Sequence, residues 1–255
     1  MIKKKIVSYI VVVLGVASIG FTMKKDLEVI EKINLPKEIE VKIRPTEDQL
    51  KILKRWLKKN AEHKGIKHQK DVYVDNPQKT FTFKSKGFID AYDKLRVRFE
   101  KGKENICYKY RHIDSKTNKT LSCDELEFPV GDNHGLHEVL KILGFRDIKL
   151  GEKLGGQETL NLLKTLGFTK QEFVEKDRDV YLYKGFEIVI DDVKNLGVFV
   201  EVEIKTEETE TKKGIREIYD LFKLMGLKKI TQFDRSYLHM LWNPGYDFSE
   251  EVDVL

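Results

Sequence analysis

The chain has 255 residues, 35 % of them charged and 40 % hydrophobic, with a formal charge of +5. That length can bury a sizeable core, and the apolar and aromatic content excludes wholesale disorder. The basic excess is modest and dispersed, and Cys107 and Cys123 form neither a CxxC pair nor a Cys/His metal spacing, so both thiols are read as reduced.

Met1 to Lys5 is basic, and Ile6 to Phe21 carries no charge. This is the pattern of a targeting signal, with Ser18 and Gly20 as small residues for cleavage. The uncharged run is short against the ~20 residues that span hydrocarbon. Two readings stand: a membrane signal or anchor over 1–22, attached through 6–21, or a chain whose synthesis begins at Met23. Residues 23–34 read as a linker, 35–242 as one domain and 243–255 as a tail.

From Leu35 onward, short alternating segments predict strands over 37–43, 71–75, 79–83, 95–100, 105–111, 122–128, 178–184, 186–191 and 198–204. Thr46 and Gln49 form a capping-box pair before a helix over 47–59. Further helices are predicted over 136–143, 157–166 and 213–225, the last stopped by Gly226. The stretches Val139–Phe145 and Leu162–Phe168 share a Leu-Gly-Phe ending and read as two similar helix ends.

Residues two apart in a strand face the same side. Applied here, that rule sorts charges by sign: acids at Glu38/Glu40, Glu125/Glu127 and Glu201/Glu203, bases at Arg96/Arg98, Lys109/Arg111 and Lys176/Arg178. Lys42 continues the first face, and Asp191 ends a strand that begins near Phe186. One such strand is compatible with a solvated sheet face. Same-sign doublets on strand after strand instead predict a closed antiparallel β-barrel of the α+β class, with charges inside and amphipathic helices covering an apolar exterior. Charges in such an interior must compensate one another.

The chemistry follows from the two signs. Arg and Lys clusters bind phosphate oxygens by charge-assisted bonds. Clustered carboxylates suit Mg²⁺ or Mn²⁺, which bridge to phosphate. Nucleic acid is not expected as a partner, because the bases are matched by acids and lie on no single basic helix. No P-loop is present. The six histidines form no metal spacing and are read as surface or supporting residues; Trp56 and Trp242 are read as packing residues.

These segments resemble, in order, the motifs of the CYTH superfamily, the triphosphate tunnel metalloenzymes. Glu38 to Lys42 is similar to ExExK, Gln69 to Asp75 to QxDxYFD, Leu95 to Arg98 to LRIR, Cys107 to Lys109 to TYK, and Glu125 to Glu127 to ExE. Leu166 to Phe168 with Val174 to Arg178 resembles LGF…KxR, and Ile190 to Glu203 resembles LDxVxxLGxFVEIE. Ser236 and Tyr237 resemble the ending of the class IV adenylate cyclases, except that His239 and Met240 depart from it; Cys123 stands where relatives often place Arg.

The resemblance implies an eight-stranded tunnel that binds ATP, tripolyphosphate or thiamine triphosphate with Mg²⁺ or Mn²⁺. It implies Lys42, Arg96, Arg98, Lys109, Lys176 and Arg178 as the triphosphate grip. It implies Glu38, Glu40, Glu125, Glu127, Asp191, Glu201 and Glu203 as metal ligands, with Glu40, Lys42 and Lys109 central to catalysis. The expected activity is adenylate cyclisation, with triphosphate hydrolysis as the alternative, in a cytoplasmic domain that the N-terminal segment tethers if it is an anchor; export is the alternative if that segment is a signal. A non-catalytic polyphosphate-binding module is a third expectation.

Overall fold

Strand β1 (Lys37–Ile43) alternates charged and β-branched residues, and that alternation organises the fold. The computed structural model describes residues 37–85, 87–113, 120–151, 153–206 and 211–254; the readings of 1–22 and 23–34 lie outside them. The remaining barrel strands are β2 (Glu62–Asp75), β5 (Asp93–Glu100), β6 (Lys103–Ile113), β7 (Thr120–Pro129), β8 (Lys170–Tyr183), β9 (Phe186–Val193) and β10 (Gly197–Thr206). Their order is β1-β10-β9-β8-β2-β5-β6-β7, and β7 returns to β1, closing an eight-stranded antiparallel barrel. Short β3 (Thr82–Ser85) and β4 (Phe88–Ala91) form a separate hairpin. Strand β11 (Lys229–Phe233) joins the C-terminal end of β1, and β12 (Ser249–Asp253) pairs with β11.

The main apolar core lies outside this barrel. Ile39, Val41, Ile43, Ile188, Ile190, Val200 and Val202 point outward and pack beneath two helices, α1 (Glu47–Asn60) and α4 (Thr211–Leu224). Helix α1 begins at the expected Thr46–Gln49 capping box and carries acids in its first turn and lysines in its last, which complements its dipole. It buries Leu53 and Leu57; α4 buries Ile218, Leu221 and Phe222. Gly214 lets α4 approach closely, since a Cβ there would stand 2.4 Å from Ile39 Cδ1.

Helices α2 (Asn133–Ile142) and α3 (Gly156–Thr165) cover β5 to β7. The repeated Leu-Gly-Phe endings close both. Gly144 and Gly167 adopt φ of 89° and 98°, the left-handed region that glycine enters without a Cβ penalty. Phe145 N and Phe168 N then donate to Leu140 O and Leu163 O, completing Schellman caps. A fifth helix, α5 (Tyr237–Trp242), follows β11.

Several elements differ from the sequence expectation. The strand expected over 79–83 begins only at Thr82, because the Asp75 carboxylate accepts bonds from Asn76 N, Phe81 N and Thr80 Oγ1 and holds 76–80 in a turn. Strands β2 and β8 each run for 14 residues, far beyond 71–75 and 178–184. Their added halves carry little apolar alternation; Ile66 is 69 % exposed. Strands β4, β11 and β12 and helix α5 are too short to show a period. The segment read as a tail therefore contains a paired strand. Among the described residues, no helix is long and apolar enough to cross a membrane.

Because Phe222 is fully buried between α4 and the barrel wall, Phe222→Ala is predicted to cost about 3–5 kcal/mol. Urea denaturation checks this, and a loss below about 1 kcal/mol would mean that α4 does not help form the core.

Candidate active site

The inward residues of the barrel meet in a cavity of about 200 Å³. Its composition follows from strand parity. Strand β1 supplies Glu38, Glu40 and Lys42; β5 supplies Lys94, Arg96 and Arg98; β6 supplies Cys107, Lys109 and Arg111; β7 supplies Cys123, Glu125 and Glu127. Strand β8 adds Lys176 and Arg178, and β10 adds Glu201, Glu203 and Lys205. Of the fourteen charged positions singled out from the sequence, all but Asp191 line this cavity.

Charges here are held in a chain of shared partners. Lys42 Nζ lies 2.8 Å from Glu40 and 3.0 Å from Glu201. Lys109 Nζ lies 3.0 Å from Glu38 and 2.9 Å from Glu125. Arg96 reaches Glu125 at 3.1 Å and Asp71 at 3.4 Å. Arg98 donates twice to Asp71, at 2.7 and 2.9 Å. Arg178 bridges Asp191 at 2.6 Å and Glu201 at 2.5 Å, and Lys176 joins the same Asp191 at 3.0 Å.

Asp71 and Asp191 are the two fixed anions of the basic wall, 2 % and 0 % exposed. Burial opposes the Asp71 charge, but Arg96 and Arg98 outweigh it and hold the carboxyl well below its usual range. Burial likewise opposes Asp191, which Lys176 and Arg178 hold low. Tyr237, at the start of α5, donates from its hydroxyl to Asp191 Oδ2 and sets its ring 4.8 Å from Lys42 and 5.1 Å from Lys176.

The acidic wall is compensated less completely. Glu40 and Glu203 are directly opposite in the β1–β10 register, where like charges repel. Burial, followed by repulsion from Glu38 and Glu40, pushes the Glu203 carboxyl up to about 8. A carboxylate cluster so penalised fits a hard divalent cation. Among the described residues, no three Asp, Glu, His or Cys side chains are already gathered as a metal cage. That is compatible with a Mg²⁺-type ion, which takes one or two protein carboxylates and completes its shell with water and substrate phosphate.

The sequence reading missed four features. Asp71 and Tyr73 share the inward face of β2 with Gln69, so parity could have identified them. Lys94 has the same parity as Arg96 and Arg98, but the strand was expected to start one residue later. Asp90, Arg111, Arg235 and His239 form a buried cluster: Arg111 Nη2 lies 2.6 Å, His239 Nε2 2.9 Å and Arg235 Nη2 3.4 Å from the Asp90 carboxylate. Burial, followed by the charge of Lys94, pushes His239 down to about 3, so it is neutral. It is fully enclosed rather than a surface histidine; β4 and α5 bring the cluster together, and no local pattern announces it.

Comparison with known proteins agrees with this architecture. The CYTH domain model matches residues 36–237. A Methanocaldococcus jannaschii protein provisionally named an adenylate cyclase is 26 % identical over 204 residues, covering 80 % of this chain and 97 % of the relative. The PH1012 protein of Pyrococcus horikoshii has 27 % identity and a TM-score of 0.51, covering 75 % of this chain and 91 % of its own. The PH1819 protein of the same organism shares the fold at 21 % identity and a TM-score of 0.55, covering 80 % and 97 %. The chain belongs to the CYTH domain family.

Asp71→Asn leaves Arg98 without its buried counter-charge and Arg96 with Glu125 alone, and is predicted to cost about 3–5 kcal/mol at neutral pH. Because the folded-state pKa is depressed, this contribution is present above the unfolded value near 4 and is lost as pH falls below it. Denaturation at neutral and acid pH should therefore show the gap between wild type and variant narrowing below about pH 4. A constant gap would contradict the charge pairing.

Proposed function

We propose that this chain is a metal-dependent triphosphate-processing enzyme, and specifically an adenylate cyclase that converts ATP to cyclic AMP and pyrophosphate. The observation that carries the reading is a barrel interior divided into a basic wall and an undercompensated acidic wall. In this reading Lys42, Arg96, Arg98, Lys109, Lys176 and Arg178 hold the three phosphates. Glu38, Glu40 and Glu203, supported by Glu125, Glu127 and Glu201, hold Mg²⁺ or Mn²⁺. Asp191, with both oxygens engaged, serves by fixing Lys176 and Arg178 behind the cavity. When bound, the divalent ion supplies Lewis-acid stabilisation of phosphate charge.

In the cyclase reaction the ribose 3′-oxygen loses its proton and bonds to the α-phosphorus. The bond from that phosphorus to the β-bridging oxygen breaks, and the electron pair leaves with pyrophosphate. Lys and Arg side chains fixed by buried carboxylates are oriented before that charge develops, so little reorganisation is needed. The relative named as an adenylate cyclase and the Ser236–Tyr237 ending favour this outcome. An ATP substrate also places the domain on the cytoplasmic side of any membrane that residues 6–21 engage.

One observation favours hydrolysis as a second reading. Among the described residues, the aromatics lining the cavity are Tyr73, Phe233 and Tyr237, and the rest of the lining is largely charged. That offers little apolar surface to a nucleobase and suits tripolyphosphate or a triphosphate whose organic group stays outside.

Product analysis with Mg²⁺ or Mn²⁺ separates the two. Cyclic AMP with pyrophosphate from ATP is the expected result, and orthophosphate from tripolyphosphate with no cyclic product would select the second reading. Glu40→Gln and Lys109→Ala are each predicted to lower turnover by about 10²-fold or more while the fold persists by circular dichroism. Undiminished activity in both would refute the site.

A further inference from the structure

The basic wall extends beyond the six residues assigned to three phosphates. Lys94 lies directly opposite Lys109 in the β5–β6 register, and its side chain enters the same cavity. Unlike the other lysines of the wall, it has no carboxylate partner among the described residues. Its charged neighbours are Arg111, Lys109 and Lys42. Burial and then Arg111 bring its pKa down to about 7, whereas Lys109, flanked by Glu38 and Glu125, is held well above its usual value. Lys94 therefore stands among basic side chains with no carboxylate beside it.

Arg111 provides a second, independent observation. It is 3 % exposed and lines the cavity. One end of its guanidinium is fixed, with Nη2 donating to Asp90 Oδ1 at 2.6 Å. Its Nε and Nη1 are buried and have no hydrogen-bond partner. Two unsatisfied buried donors cost more than a typical hydrogen bond contributes, and here they belong to a side chain that Asp90 prevents from turning away. Behind them, Asp90 also takes Arg235. Ser122 and Ser236, both on the cavity wall, add hydroxyls.

We propose that Lys94 and Arg111 form a subsite for a fourth phosphate, so that the tunnel prefers a chain of four phosphates to one of three. The inference rests on the triphosphate reading of the neighbouring wall and names a longer substrate for it. Phosphate fits better than carboxylate because the subsite is continuous with the triphosphate grip: Lys94 is cross-strand to Lys109, and Arg111 is the next inward residue on β6. A ligand reaching it from that grip needs only one more unit of the same chain. Two sources share this chemistry, linear tetrapolyphosphate and a nucleoside 5′-tetraphosphate.

The test is calorimetric titration of the full-length chain with tripolyphosphate, tetrapolyphosphate, ATP and adenosine 5′-tetraphosphate, using Ca²⁺ as the divalent ion to hold turnover low. The expected result is that at least one four-phosphate compound binds tenfold or more tightly than its three-phosphate counterpart. Preference within the inorganic pair alone identifies linear polyphosphate as the source, and preference within the adenosine pair alone identifies the nucleotide. In Lys94→Met the ratio should fall to within about twofold of one, and in Lys94→Arg it should return. Equal binding of three and four phosphates by wild type overturns the subsite. So does a Lys94→Met variant that weakens both members of each pair in proportion. If no compound binds, the triphosphate reading fails and the subsite fails with it; binding of the three-phosphate compounds alone overturns only the subsite.

Discussion

The constraint on which this structure depends is compensation of buried charge. A barrel with an ionic interior cannot be stabilised by burying those ions, because desolvation opposes each of them. Stability comes instead from the outward faces of the same strands, where Ile39, Val41, Val200 and Val202 pack beneath α1 and α4. The barrel wall separates two tasks: its outer residues hold the fold, and its inner residues are left to bind.

Compensation inside is uneven, and the unevenness gives the site its character. Asp71 and Asp191 are saturated by arginine and lysine and fix the basic wall in place. Glu203 and Glu40 face each other, and Lys94 and Lys109 do the same on the other side. The first pair repels across the strands although Lys42 and Lys205 reach it, and the second includes a lysine with no carboxylate partner among the described residues. A metal ion with its polyphosphate would supply both deficits at once, so a site made of opposed charges could be stable and still accept a highly charged ligand.

Much of this was legible in the sequence because the period of a strand is two. Glu38, Glu40 and Lys42 cannot alternate with Ile39, Val41 and Ile43 without dividing a strand into an ionic face and an apolar face. With β1, the same signal in β5, β6, β7, β8 and β10 located thirteen lining residues. It failed where alternation was absent: in the exposed halves of β2 and β8, in the short β4, β11 and β12, and in α5. It also could not reveal Asp90 with His239 and Arg235, since residues 145 or more apart meet only through tertiary contact. Sign alone further did not separate Asp191, sealed behind Lys176 and Arg178, from the carboxylates that line the cavity.

The central claim is that the barrel interior receives metal and polyphosphate together. The most direct measurement is a crystal structure grown with Mn²⁺ and a non-hydrolysable triphosphate analogue, with anomalous scattering used to locate the metal. The account predicts an anomalous peak at the Glu38, Glu40 and Glu203 carboxylates, bridged to phosphates held by Lys42, Arg96, Arg98, Lys109, Lys176 and Arg178. A metal and anion bound only outside the barrel, with the interior ion pairs unchanged, would contradict it.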